Sequence, residues 1–112
     1  MEKKFIKNIE FSTALEMANL VEYQEGRVVS LTLVQNDALT LTLFAFAKGE
    51  AVSTHSAPGD AMVYILDGEA AITVGEKKFT AAKGQTLVMP SNIPHGLDAT
   101  QKFKMMLLLV KQ

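Results

Sequence analysis

A two-residue hydrophobic rhythm sets in near Arg27 and runs almost to the end of the chain, cut by turn-forming residues at roughly ten-residue intervals. Val29, Leu31 and Leu33 alternate with Val28, Ser30 and Thr32; Leu39, Leu41 and Leu43 alternate with Thr40, Thr42 and Phe44. Successive side chains of a strand point to opposite faces, so this period predicts half-buried β-strands. Between the first two strands, Asn36-Asp37 has short polar side chains that can bond their own backbone, which predicts a hairpin. Asp67-Gly68 and Gly75-Glu76 carry the same kind of signal, and Phe103 to Val110 reads as a last, mostly buried strand. About eight strands in one antiparallel sandwich or barrel follow, with no linker or repeat.

The one helix signal lies ahead of the strands. Thr13-Ala14-Leu15-Glu16 has capping-box spacing, and Met17, Ala18 and Leu20 follow it, so one or two helical turns are expected there. The chain therefore divides into an N-terminal segment, 1–25, and a β-domain, 26–112.

Composition removes whole classes of function. A chain of 112 residues has room for one core, and 48% hydrophobic with 21% charged residues marks a folded protein. Eleven basic against twelve acidic residues, with no basic block, argue against binding nucleic acid or an anionic membrane surface. The longest apolar runs are far too short to span a bilayer, and charges interrupt the first twenty-odd residues, so a cytoplasmic protein is expected. With no cysteine, disulfides, thiolate metal sites and cysteine nucleophiles are excluded. Ser53, Ser56 and Ser91 lack the glycines of a nucleophile elbow, and no glycine loop could cradle phosphate.

Chemistry then rests on the two histidines, His55 and His95. Alone, each reads equally well as a hydrogen-bonded residue at a strand end. Their settings say more: Gly49, His55, Ala57, Ala61 and Gly68 stand at one set of spacings, and Gly84, Pro90, Asn92, His95 and Ala99 at another. In this the chain resembles the cupin superfamily, specifically small single-domain cupins of the cupin 2 conserved barrel type, over roughly residues 26–110. The resemblance implies a cupin-type jelly-roll antiparallel β-barrel, here preceded by the short N-terminal helix.

Metal-binding cupins hold a divalent ion with two histidines and a glutamate from the first motif and a histidine from the second. Carried over, this implies His55 and His95 as the retained ligands, with alanine at the other two positions, Ala57 and Ala61. Asp60 adjoins the lost glutamate position, but neighbours in a strand face opposite ways, so it should look outward. If Ala61 faces inward, so do Val63 and Ile65, while Met62 and Tyr64 face out. Lys104 sets the parity of the last strand, because an unpaired lysine is costly to bury. Phe103, Met105, Leu107 and Leu109 should then face in, and Met106, Leu108 and Val110 out. The expected pocket comprises His55, His95, Ala57, Ala61, Val63, Met89, Phe103 and Met105.

Three functions compete at this point. The leading expectation is a small-molecule-binding protein with a degenerate metal site and no cofactor. The second is a metal-dependent enzyme of dioxygenase or isomerase type, with a divalent transition metal on His55 and His95. The third is a subunit acting through its outer apolar face. That face, and the habit of cupins to pair, also predict a homodimer. Whether the protein is an enzyme stays open on these residues.

Overall fold

The computed structural model describes residues 3–111. Eight strands follow one another: β1 (Val28–Gln35), β2 (Leu39–Phe46), β3 (Ala51–His55), β4 (Asp60–Val74), β5 (Lys77–Ala82), β6 (Thr86–Met89), β7 (His95–Asp98) and β8 (Phe103–Val110). They form a curled antiparallel sheet in the order β1-β2-β8-β4-β7-β3, with β5 and β6 also paired to β4. All the pairings are antiparallel. The expected all-β architecture is present. Among the described residues no helix is long and apolar enough to cross a membrane.

Two turns form as their residues dictate. The Asn36 side-chain oxygen accepts from the Ala38 and Leu39 amides at 2.8 and 2.9 Å, closing the β1–β2 hairpin. Gly75, at φ 60°, turns β4 into β5, with Val74 opposite Lys77. Asp67-Gly68 departs from expectation: it is not a hairpin but a bend within the fifteen-residue β4. Pairing with β8 slips by one residue between Ile65 and Asp67, a β-bulge that turns the strand from one half of the sheet to the other. Gly68 sits at φ 70° against the Lys102 carbonyl, where a Cβ would collide. The residue pair supplies the positive φ that a hairpin also needs, and the strands on either side find different partners.

The expected short N-terminal helix is present as one turn, Met17–Leu20, of 3-10 and not α type. Its N-cap is Glu16 and carries no side-chain cap bond; Thr13 Oγ1, which in a capping box accepts from a backbone amide of the first turn, instead donates to Glu10 Oε1 at 2.5 Å. So short a stretch cannot repay helix nucleation, and packing sets its shape. Met17, Leu20, Val21 and Tyr23 lie on the outer face of β1, β2 and β8, against Leu31, Leu33, Leu43, Ala45 and Met106. Lys104 Nζ donates to the Ala18 carbonyl at 2.6 Å, and the Tyr23 hydroxyl donates to Asp67 Oδ2 at 2.6 Å. Both bonds clasp the segment to the sheet.

The inner face carries the main core, built on Phe46, Val63, Ile65, Ile72, Leu97, Phe103 and Met105. Phe46 and Phe103 stack with centroids 4.6 Å apart. The parity set by Lys104 holds: Phe103 and Met105 are buried, with Leu107 and Leu109 packed against the same core.

Candidate functional site

Both histidines sit at strand ends, and backbone geometry brings them together. His55 closes β3, His95 opens β7, and the register sets them opposite each other. Gly96 lets β3 approach, since a Cβ there would stand 3.1 Å from the Val52 carbonyl. The imidazoles meet edge to face, with centroids 4.5 Å apart and planes at 66°.

The rim beside them is stitched by polar contacts. Asn92, at φ 63°, donates its amide to the Ala57 carbonyl at 2.9 Å, joining the two motif loops. The Ser91 amide donates to Asp60 Oδ1 at 2.9 Å, and Ser91 Oγ accepts from the Gly59 amide at 2.8 Å. Asp60 is thus occupied in fastening the rim.

Each ring is oriented through Nδ1. His55 Nδ1 lies 3.0 Å from the Ser53 carbonyl, and His95 Nδ1 lies 3.2 Å from the Ile93 carbonyl. A carbonyl only accepts, so each Nδ1 carries a proton, and in a neutral imidazole that leaves the lone pair on Nε2. His55 is exposed, whereas His95 is 7% exposed.

Behind them lies a cavity of about 210 Å³, walled by β2, β3, β4, β6, β7 and β8. Of the residues expected in the pocket, His55, His95, Ala57, Ala61, Met89 and Met105 do line it. Val63 and Phe103 do not: both are fully buried in the core. Facing inward is necessary for lining a cavity but not sufficient, because its depth is set by where side chains close over it. The remaining wall is Phe44, Phe46, Val52, Leu97, Leu107 and Leu109. Parity alone could have flagged Leu107 and Leu109; Phe44, Phe46 and Val52 reach the cavity only because the sheet curls.

The wall therefore offers two imidazoles and otherwise apolar side chains. A larger and more open hollow, about 610 Å³, is lined by Lys48, Glu50, Lys78 and Asp98 among others and contains no histidine. A metal at the histidine site would have an incomplete set of protein donors. It would find two nitrogen donors, alanine at the other two motif positions, and, among the described residues, no cluster of three His, Cys, Asp or Glu.

Comparison with known proteins agrees with this geometry. The family model described as Cupin domain matches residues 42–111. A conserved protein of unknown function from Streptococcus pyogenes is 43% identical, with a TM-score of 0.96 over 98% of this chain and 96% of that one. A cupin superfamily protein from Desulfitobacterium hafniense is 34% identical, with a TM-score of 0.91 over 96% of this chain and 98% of that one. The cupin 2 conserved barrel domain protein from Leptotrichia buccalis is 49% identical, with a TM-score of 0.84 over 87% of this chain but 47% of that one. No curated protein matches the sequence.

Proposed function

Because this chain belongs to the cupin family, we propose that it is a binding protein for a small, mainly apolar molecule, held in the barrel cavity with its polar end on His55 and His95. The make-up of the wall carries this reading: ten of the twelve lining residues are apolar, and the two polar ones adjoin each other. We place this activity in the cytoplasm.

Thermal unfolding in the presence of a panel of small hydrocarbons and their hydroxyl and carboxyl derivatives tests the proposal. A ligand at a hundredfold excess over its Kd adds about 2.7 kcal/mol of stability. A stabilising compound that loses its effect when Leu107→Phe fills the cavity supports the reading; a panel with no stabilising member sinks it.

A metal-dependent enzyme is the second reading, favoured by one observation. Both histidines donate Nδ1–H to a carbonyl, the arrangement that commonly orients an imidazole for coordination through Nε2. Metal analysis of protein purified without tag or chelator separates the two. A transition metal retained at one per chain after dialysis would put the enzyme first.

The protein also acts, on this proposal, as a homodimer. Registers across the sheet align Leu41, Leu108, Met62 and Val88 in one row on its outer face. Met62, Tyr64, Val88 and Val110 on that face are each more than a third exposed, beyond the area covered by the N-terminal segment. A second copy offers the same self-complementary patch.

A further inference from the structure

The polarity of the histidine pair narrows the ligand class, and this step rests on the cavity reading above. Each Nδ1–H is spent on a backbone carbonyl, so neutral rings present only acceptors. His95 is nearly buried and its Nε2 has no partner in the protein, yet no buried side-chain nitrogen or oxygen among the described residues is left unpaired. That Nε2 must therefore open onto accessible space, and the space His95 lines is the cavity. His55 stands beside it, and no other wall side chain carries a nitrogen or oxygen.

A ligand entering this space must bring the donor itself. A pure hydrocarbon strips water from the nitrogen lone pairs and returns nothing. Ethers and ketones oppose lone pair to lone pair. A carboxylate or an ammonium group adds a charge, and no oppositely charged side chain lines the cavity to meet it. An uncharged hydroxyl satisfies the site, because its O–H donates to one Nε2 while the hydrocarbon body fills the apolar wall. About 210 Å³ is room for a six-membered ring, given that an apolar cavity of ~150 Å³ accepts benzene. We infer that the cavity selects a compact, uncharged molecule with one hydroxyl on an apolar body, of the phenol or small cyclic alcohol class, with the hydroxyl donating to the His55–His95 pair.

Calorimetric titration at pH 8 with phenol, anisole, toluene and benzoate tests the inference. Phenol should bind about tenfold or more tightly than anisole, whose oxygen has no proton to give, and benzoate should not compete with it. In His95→Phe or His55→Phe, whichever retains toluene binding as proof of an intact cavity, phenol's advantage over toluene should fall by about tenfold. Equal affinity for phenol and anisole, tighter binding of benzoate, or an undiminished phenol preference in the variant overturns the hydroxyl assignment and leaves the cavity reading standing. Failure of all four compounds to bind overturns both.

Discussion

Tyr23 illustrates how much a single side chain does here. Its ring packs with the N-terminal segment on the sheet, its hydroxyl donates to Asp67, and the Lys102 and Lys104 ammonium groups lie 4.7 and 4.9 Å from its centroid. Burial raises its pKa well above 10, and the hydrogen bond and negative charge of Asp67 raise it further. A phenol whose pKa is higher folded than unfolded holds its proton longer in the native state. Its stabilising effect is therefore complete below the unfolded value, about 10, and is lost as pH rises beyond it. Chemical denaturation should show stability falling from about pH 10 upward, with Tyr23→Phe flattening that fall while costing about 1 kcal/mol at neutral pH. Ala57 and Ala61 make a second test at this scale. The double substitution Ala57→His and Ala61→Glu adds two donors where both small residues line the cavity, and equilibrium dialysis should find one divalent transition metal bound per chain. A folded variant that takes up no metal would show that the motif positions do not converge.

Glycines divide by the job they do within their elements. Gly68 and Gly84 both have positive φ, but a Cβ at Gly68 collides with the Lys102 carbonyl while one at Gly84 meets nothing within 4 Å. Gly84→Ala should cost about 1 kcal/mol of stability through backbone strain, and Gly68→Ala clearly more, since β4 and the Lys102–Phe103 backbone must also part. Urea midpoints compare the two directly. The same contrast explains what could be read before the fold was known. The Asn36-Asp37 hairpin, the Gly75 turn and the extent of β8 are local matters of turn chemistry and period, and all were legible. Asp67-Gly68 was not, because whether a positive-φ residue reverses a strand or bends it depends on its distant partners on β8, Lys104 and Phe103. Likewise the cupin resemblance carried by Gly49, His55, Pro90 and His95 implied the histidine pair, whereas the aromatic wall of Phe44 and Phe46 depends on the curl of the whole sheet.

Across the molecule, the N-terminal segment covers only part of one outer face. The N-terminal segment lies over Met106 and its neighbours, and the row from Leu108 through Met62 to Val88 lies beyond it, where the proposed second copy would dock. Leu108→Glu should convert the dimer to monomer or to aggregate in sedimentation velocity, while Lys77→Glu on the distant β4–β5 hairpin should leave the dimer intact. A well-behaved monomer of the unsubstituted protein at micromolar concentration would remove the interface. The topology reaches further still. Every partner of β4 lies after it in the chain, and β2 and β4 both flank β8, the last of the described strands. As a ribosome extrudes this stretch, only the β1–β2 hairpin can zip before residue 77; β4 then gains β5, β6 and β7 in turn, while the edges of β2 and β4 that meet on β8 stay unpaired until residues 103–110 emerge. The seam between the β1–β2 hairpin and the β4 half of the barrel should therefore stay open to protease until β8 has emerged, and close in one event when it inserts.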